Sequence, residues 1–466
     1  MNKKLSIILV ALLMVVLGAC GGCKPNVTPD PDFPPVDTTE VEEPDMALVT
    51  YSVPVTEDWI FSGKPAITIH IENLNKASVK VETKAKINTD NWQAVTTVTD
   101  SVVVPGNGAI DYIVTTPENL EPGFYRVTCL VNNKLARSQF VFGIDPFDIV
   151  SAPDKQPDFD EFWAAAKAQL DGVEMNATLT ELPDKSTSAR KVYMVEMQSI
   201  PDGLTGEPVL IHGYYCEPQD GQKHPVIMHF FGYDDQKPTG KLDCPGGGYT
   251  AEFAEFYLSH RGQYINNRKA SQREPDGLGD LTNIYGDWFA YHFGDKDSYY
   301  YRGAFIDCVQ AVRFMATRET SDMEHLFAEG SSQGGALSYA AAALSDYPFS
   351  AIAPNVAFLG DFPDYFEIVS WPASTAKANR GTMTDEEMYA FLSYFDTKNL
   401  ATRISCAVLA TSGLQDGTCP PHTNIAPFNN LQTAPADKEY HFYPEMQHAY
   451  PPGWDGMTKK FFRKYM

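Results

Sequence analysis

The run Gly330-Ser331-Ser332-Gln333-Gly334 constrains this chain more than any other stretch. It has the G-x-S-x-G form of a nucleophile elbow, a sharp turn that joins a strand to a helix. Upstream, Glu324-His325-Leu326-Phe327-Ala328 reads as a short apolar strand; downstream, Ala336 to Leu344 is rich in strong helix formers. Small residues on either side of Ser332 let the turn lift its hydroxyl above the sheet edge, and the helix N-terminus directs unpaired N–H groups at an incoming oxyanion. Such a turn requires a sheet covered by helices, and it implies acyl transfer through a serine. A five-residue pattern also arises by chance, so the rest of the chain must supply a base, an orienting carboxylate and oxyanion donors.

Length and charge narrow the field. At 466 residues the chain exceeds one typical domain. Its formal net charge of −24 would repel nucleic acid and anionic headgroups, which makes the chain a poor candidate for binding either and suits neutral substrates such as sugars. Lys3 and Lys4 precede an almost wholly apolar run from Leu5 to Leu17, which is too short to span a bilayer comfortably but fits a signal sequence. It ends in Leu17-Gly18-Ala19-Cys20, a lipobox-like site. The expectation is a signal peptide over 1–19 and a lipidated Cys20, giving an exported bacterial lipoprotein of the outer membrane on its periplasmic face or at the cell surface. Residues 20–47 interleave prolines with acids and read as an extended tether. The other cysteines (Cys23, Cys129, Cys216, Cys244, Cys308, Cys406 and Cys419) form no C-x-x-C pair and there is no His-rich metal spacing, so no structural zinc site is expected; acyl transfer through a serine needs no metal or cofactor, and the odd number of cysteines leaves at least one free thiol.

Residues 48–143 read as all-β. Ala66 to Ile71, Val79 to Lys84 and Tyr125 to Val131 alternate apolar with polar, and Ser62-Gly63-Lys64-Pro65, Pro105-Gly106-Asn107-Gly108 and Glu121-Pro122-Gly123 punctuate them. The spacing suggests an immunoglobulin-like β-sandwich without a Cys…Trp…Cys signature, serving as a spacer or packing domain. Ile144-Asp145-Pro146 marks a boundary. Over 144–466, strands and helices alternate, which implies an α/β domain with helices on both faces of its sheet. Asp158 is placed to cap an opening helix that buries Phe159, Phe162 and Trp163. Strands are expected at Val209 to Tyr215, Val226 to Phe231, Ile404 to Thr411 and Tyr440 to Tyr443, with a helix over Ala304 to Thr317.

In the α/β-hydrolases, whose nucleophile elbow the run around Ser332 resembles, the chain order is nucleophile, acid, histidine. Three histidines follow Ser332. His441 falls inside a strand, a poor place for a mobile base, and His422 follows Pro420-Pro421. His448 lies in the loop after the last strand and is the favoured base. The favoured acid is Asp416, in the loop after the Ile404 to Thr411 strand. Asp385 and Asp396 are alternatives in a helical, charged stretch that reads as a solvated face or lid. The backbone N–H groups of Gln333, next after the nucleophile, and Tyr233, after the Val226 to Phe231 strand, are the natural oxyanion donors.

Several further motifs occur in order. They are Pro157 to Trp163, Gly232-Tyr233, Arg261-Gly262-Gln263, Tyr299 to Gly303, Ser331-Ser332-Gln333-Gly334-Gly335, Gly413-Leu414-Gln415-Asp416 and Cys419-Pro420-Pro421. With them, residues from about 150 to 466 resemble the acetyl xylan esterase/cephalosporin-C deacetylase family, the seventh family of carbohydrate esterases and a branch of the α/β-hydrolases. The resemblance implies an α/β-hydrolase fold, here preceded by the sandwich. It implies Ser332 as nucleophile, His448 as base, Asp416 as its partner, Tyr233 and Gln333 as oxyanion donors, and Arg261, Gly262 and Gln263 as structural or substrate support. It also implies a serine esterase that removes acetyl groups from xylan, xylo-oligosaccharides or cephalosporin C. The expected partners are an acetylated carbohydrate and, through the lipid anchor, a membrane; a homo-oligomer is compatible with the family. His448-Ala449 stands where the family has a histidine–glutamate pair, and Phe231 where histidine is usual. Trp288 reads as a sugar platform or a core aromatic. Other readings are a peptidase or bulky-acyl esterase of the same fold, and a non-catalytic carbohydrate-binding lipoprotein.

Overall fold

A computed structural model describes residues 43–202, 206–233, 251–263 and 285–466. The signal peptide, Cys20, Cys23, Cys244 and most of the tether lie outside the described residues. Asp45–Met466 forms one compact unit.

The first part of that unit is built from β1 (Val49–Ser52), β2 (Ile60–Phe61), β3 (Ala66–Asn73), β4 (Val79–Thr89), β5 (Ala94–Val104), β6 (Gly108–Thr115), β7 (Gly123–Val131) and β8 (Lys134–Ile144). They form a three-stranded sheet in the order β1-β3-β6 and a five-stranded sheet in the order β2-β8-β7-β4-β5. Along β3 and β4 the buried positions alternate (Ile67, Ile69, Ile71; Val79, Val81, Ala85, Ile87), because successive side chains leave a strand on opposite faces. Tyr125 Oη donates to the Glu121 carbonyl at 2.8 Å, a tyrosine corner that ties the start of β7 to the turn before it.

The second part begins with α1 (Phe159–Asp171) and then β9 (Thr178–Glu181), β10 (Arg190–Pro201), β11 (Pro208–Pro218), β12 (His224–Phe230) and β13 (Ala254–Ser259). Next come α2 (Tyr300–Ala316), β14 (Ser321–Ser331), α3 (Gln333–Leu344), β15 (Ala351–Asn355), α4 (Phe362–Ile368), α5 (Ser370–Asn379), α6 (Asp385–Leu392) and α7 (Thr397–Ala401). The chain closes with β16 (Ala407–Gly413), α8 (Pro421–Asn429), β17 (Lys438–Tyr443) and α9 (Trp454–Phe462). One nine-stranded sheet runs β17-β16-β15-β14-β12-β13-β11-β10-β9. Strands β12 to β17 pair parallel with one another, whereas β9, β10 and β11 pair antiparallel, β11 meeting β13 antiparallel. Both faces of this sheet are covered. Ile227, Phe327, Ala351 and Leu409 pack with Trp454, Phe461 and Phe462 of α9. Their strand neighbours Met228, Ala328, Ile352 and Val408 join the core that holds α2 and α3. Burial on both faces explains the unbroken apolar runs of these strands.

The expected elements are all present with shifted ends; the strand expected from Ile404, for example, starts at Ala407. One local expectation is corrected. The α1 helix buries Phe159, Phe162 and Trp163, but Asp158 makes no side-chain cap. Its carboxylate binds Lys296 Nζ at 2.6 Å and the Tyr394 hydroxyl instead, because two donors from across the fold outcompete one exposed backbone N–H.

Candidate active site

The parallel strands all end at one edge, and the chain places its candidate site residues there. Ser332 follows β14 at φ 60° and ψ −123°, a conformation that costs a non-glycine residue about 1–3 kcal/mol. Backbone bonds hold it: Ser332 N–H donates to the Asn355 carbonyl at 3.0 Å, and the Ser332 carbonyl accepts from Phe358 N–H at 3.0 Å. Gly334 is required by the tightness of the turn, since a Cβ there would lie 2.2 Å from the Phe230 carbonyl oxygen. Ser332 occupies the N-cap of α3 without a side-chain capping bond, so its hydroxyl remains available. Gln333 begins α3, where backbone N–H groups have no intrahelical partner.

Asp416 sits in the loop after β16 with its side chain fully buried (0% exposed). Its Oδ1 accepts from the N–H groups of Thr418 at 2.8 Å and Cys419 at 2.9 Å, which fixes the carboxylate plane. Its Oδ2 lies 2.8 Å from His448 Nδ1. That contact places the imidazole proton on Nδ1 and leaves the Nε2 lone pair free to accept. Ser332 makes no hydrogen bond to His448 in this structure; such bonds often tighten only once substrate is bound. Beside Ser332 is the Cys419 thiol. Burial, then the charge of Asp416, push it well above its ordinary value, while the Tyr365 and Ser332 hydroxyls oppose the shift. It stays protonated and is therefore no rival nucleophile.

The Arg261-Gly262-Gln263 turn supports the site from beneath. Arg261 is 3% exposed and forks onto Asp307, with Nη2 to Oδ1 at 2.7 Å and Nε to Oδ2 at 2.9 Å. Burial works against its charge, but Asp307 prevails and holds the guanidinium above its usual range. Gly262 takes φ +78°. Gln263 Nε2 donates to the Gly232 carbonyl at 3.4 Å. Because the peptide is planar and trans, that bond turns the Tyr233 N–H to the opposite side. A relay then reaches the elbow. Tyr300 Oη donates to the Arg261 carbonyl at 2.8 Å and lies 2.9 Å from His260 Nδ1, and His260 Nε2 accepts from Gln333 Nε2 at 2.8 Å. Trp288 is buried and stacked on Tyr300 at 5.1 Å, which makes it a core aromatic.

The alternatives from sequence lie elsewhere. His441 pairs with Glu439 at 2.9 Å, and Asp385 with Arg380. Asp396 is not on a solvated face: it is buried and accepts from the N–H groups of Asp361, Phe362 and Lys398, a polar turn that only the tertiary fold covers. His422 contacts Asp361, Asp364 and Asp90 at 3.2, 3.0 and 3.6 Å. Asp361, Asp364 and His422 could share a metal ion, but Lys398 Nζ already lies 2.9 Å from Asp361. Among the described residues, Cys129, Cys308, Cys406 and Cys419 are free thiols.

One residue was missed from sequence. Asn355, wholly buried at the end of β15, donates through Nδ2 to Ser331 Oγ at 2.7 Å and to the Ala449 carbonyl at 3.1 Å. Its Oδ1 accepts from Thr411 Oγ1 at 2.5 Å. It joins the elbow, the acid strand and the histidine loop. The only signal was an amide closing the apolar run Ala351-Ile352-Ala353-Pro354.

Comparison with known proteins bears on the family and the fold. A family model described as acetyl xylan esterase (AXE1) matches residues 149–465. The acetyl esterase Axe7A of Xylanibacter ruminicola is 26% identical over 330 residues, covering 68% of this chain and 69% of its own. The solved acetyl xylan esterase from Paenibacillus sp. R4 is 28% identical with a TM-score of 0.56, over 69% of this chain and 98% of its own. Acetyl xylan esterase 1 from Thermoanaerobacterium sp. JW/SL YS485, at 24% identity and a TM-score of 0.55, covers 68% and 97% and shares the fold. The chain therefore belongs to the acetyl xylan esterase family of α/β-hydrolases, and is an esterase.

Proposed function

We propose that this protein removes O-acetyl groups from carbohydrate through an acetyl-enzyme on Ser332. The observation that carries the reading is the contact of His448 Nδ1 with buried Asp416 Oδ2 at 2.8 Å, at the sheet edge where the elbow sets Ser332. In the proposed reaction, His448 Nε2 takes the Ser332 hydroxyl proton as Oγ attacks the acetyl carbonyl carbon. The resulting oxyanion is held by the N–H groups of Gln333 and Tyr233. The intermediate collapses, the bond to the sugar oxygen breaks, and His448 returns the proton to that oxygen. Water, deprotonated by the same imidazole, then releases acetate and restores Ser332. Asp416 orients the imidazole and stabilises it while charged; Arg261, Gly262 and Gln263 hold the oxyanion loop.

Xylan, xylo-oligosaccharides and cephalosporin C are the substrates we propose, following the names of the relatives and the sequence motifs. The test is acetate release by the full chain from each, beside a panel of acetyl esters, longer acyl esters and aminoacyl anilides. Faster turnover of the longer esters or anilides than of acetyl esters would refute the acetyl reading. Two further readings complete the proposal. The β1–β8 sheets are taken as an immunoglobulin-like sandwich, supported by the tyrosine corner at Tyr125. Cys20 is taken as a lipid anchor, supported by Leu17-Gly18-Ala19 before it.

A further inference from the structure

The N-terminal sheets meet the catalytic loops along β8, at Val141 and Arg137. Strand β2 pairs with β8 only at Gly143 and Ile144, so β8 is an open edge at Val141. An open edge exposes backbone N–H and C=O groups that need partners. Those of Val141 find them in a side chain from far along the chain. Val141 N–H donates to Gln415 Oε1 at 2.9 Å, and Gln415 Nε2 donates to the Val141 carbonyl at 3.0 Å. The amide of Gln415 thus pairs with β8 as a peptide unit of a neighbouring strand would.

Gln415 is the residue before Asp416, and its remaining bonds run to the histidine loop. Nε2 also donates to the Pro444 carbonyl at 2.7 Å, and its backbone N–H donates to the Met446 carbonyl at 3.0 Å. Gly413 lets the two loops approach this closely, because a Cβ there would lie 2.3 Å from the Met446 carbonyl oxygen. Arg137 of β8 reaches the same loop through Glu445, at 3.0 Å. The stem of the acid loop and the stem of the histidine loop are therefore fastened to each other and to β8 by a single side chain.

We propose that Gln415 is a positioning residue through which the N-terminal β-region keeps Asp416 against His448, so that this region takes part in setting the rate. The proposal rests on the reading of Asp416 and His448 as acid and base. The test is steady-state acetate release by the full chain carrying Gln415→Ala or Gln415→Met, with the rate of Ser332 labelling by a fluorophosphonate and a thermal melt beside it. The methionine variant keeps the side-chain volume and carries the test if the alanine variant does not fold. Folded variants should show kcat and labelling lowered about tenfold with KM changed less than about twofold, because a small misplacement slows chemistry more than binding. A kcat within about twofold of the parent overturns the proposal, as does loss of folding in both variants, which would make the joint purely structural. Asp416→Asn in the same assay separates the two failures. If it is inactive while the Gln415 variants are normal, only the positioning role is wrong. If it is fully active, the acid–base reading itself fails.

Discussion

The two β-regions of this protein use strands in opposite ways. In the N-terminal sheets wet positions recur along the strands: β3 alternates buried Ile67, Ile69 and Ile71 with half-exposed Thr68 and His70, and Val103 and Ile113 stand exposed. In the nine-stranded sheet, β13, β15 and β16 are buried at every position. Covering helices let the second region carry buried charges such as Asp307, Asp396 and Asp416, while the first region is held by half-solvated packing. Reactive geometry belongs to the region whose surroundings are rigid enough to over-determine it.

That contrast can be broken at four points. Ser332→Ala should lower turnover by about four to six orders of magnitude with the melt unchanged; near-normal acetate release would remove the nucleophile from the elbow. Arg261→Ala leaves Asp307 buried with the backbone N–H of residue 261 but without its charged partner and should cost about 3–5 kcal/mol of stability, read by denaturant unfolding. A loss under about 1 kcal/mol would mean that water reaches Asp307.

The third point is the seam between the regions. His422 is held well above its ordinary value: burial opposes its charge, but Asp361, Asp364 and Asp90 outweigh it, the last from the N-terminal sheets. A raised histidine contributes stability in full below its unfolded value near 6.5 and loses it as pH rises through the folded value. His422→Gln should therefore cost about 3 kcal/mol at pH 6 and progressively less in the alkaline range. Equal losses at pH 6 and pH 10 would show that the imidazolium is not what closes the seam. The smallest effect belongs to the wet side of the first region. Val103→Thr, at a position 60% exposed, should change stability by less than about 0.5 kcal/mol. A larger loss would reveal that this face is covered.

Much of this site was legible along the chain. The strand–turn–helix around Ser332, the order of Ser332, Asp416 and His448, and the strand ends that present Tyr233 and Asp416 all follow from local pattern. The errors were polar residues whose partners lie far away. Asp158 suited a cap but found Lys296 and Tyr394. Asp396 suited a solvated helix but is buried under backbone donors.

Sequence alone determined the parts of this protein that depend on neighbouring residues: period-two alternation against continuous apolar runs, small residues at the elbow, and the succession of loops that carry the candidate site residues. Only the tertiary structure decided that Asn355 ties three of those loops together and that Gln415 reaches Val141, 274 positions away, to fasten them to the N-terminal sheets. The physical reason is that an amide side chain satisfies whichever unpaired backbone groups the fold brings to it, and the edge left open at β8 exists only once the sheets have formed.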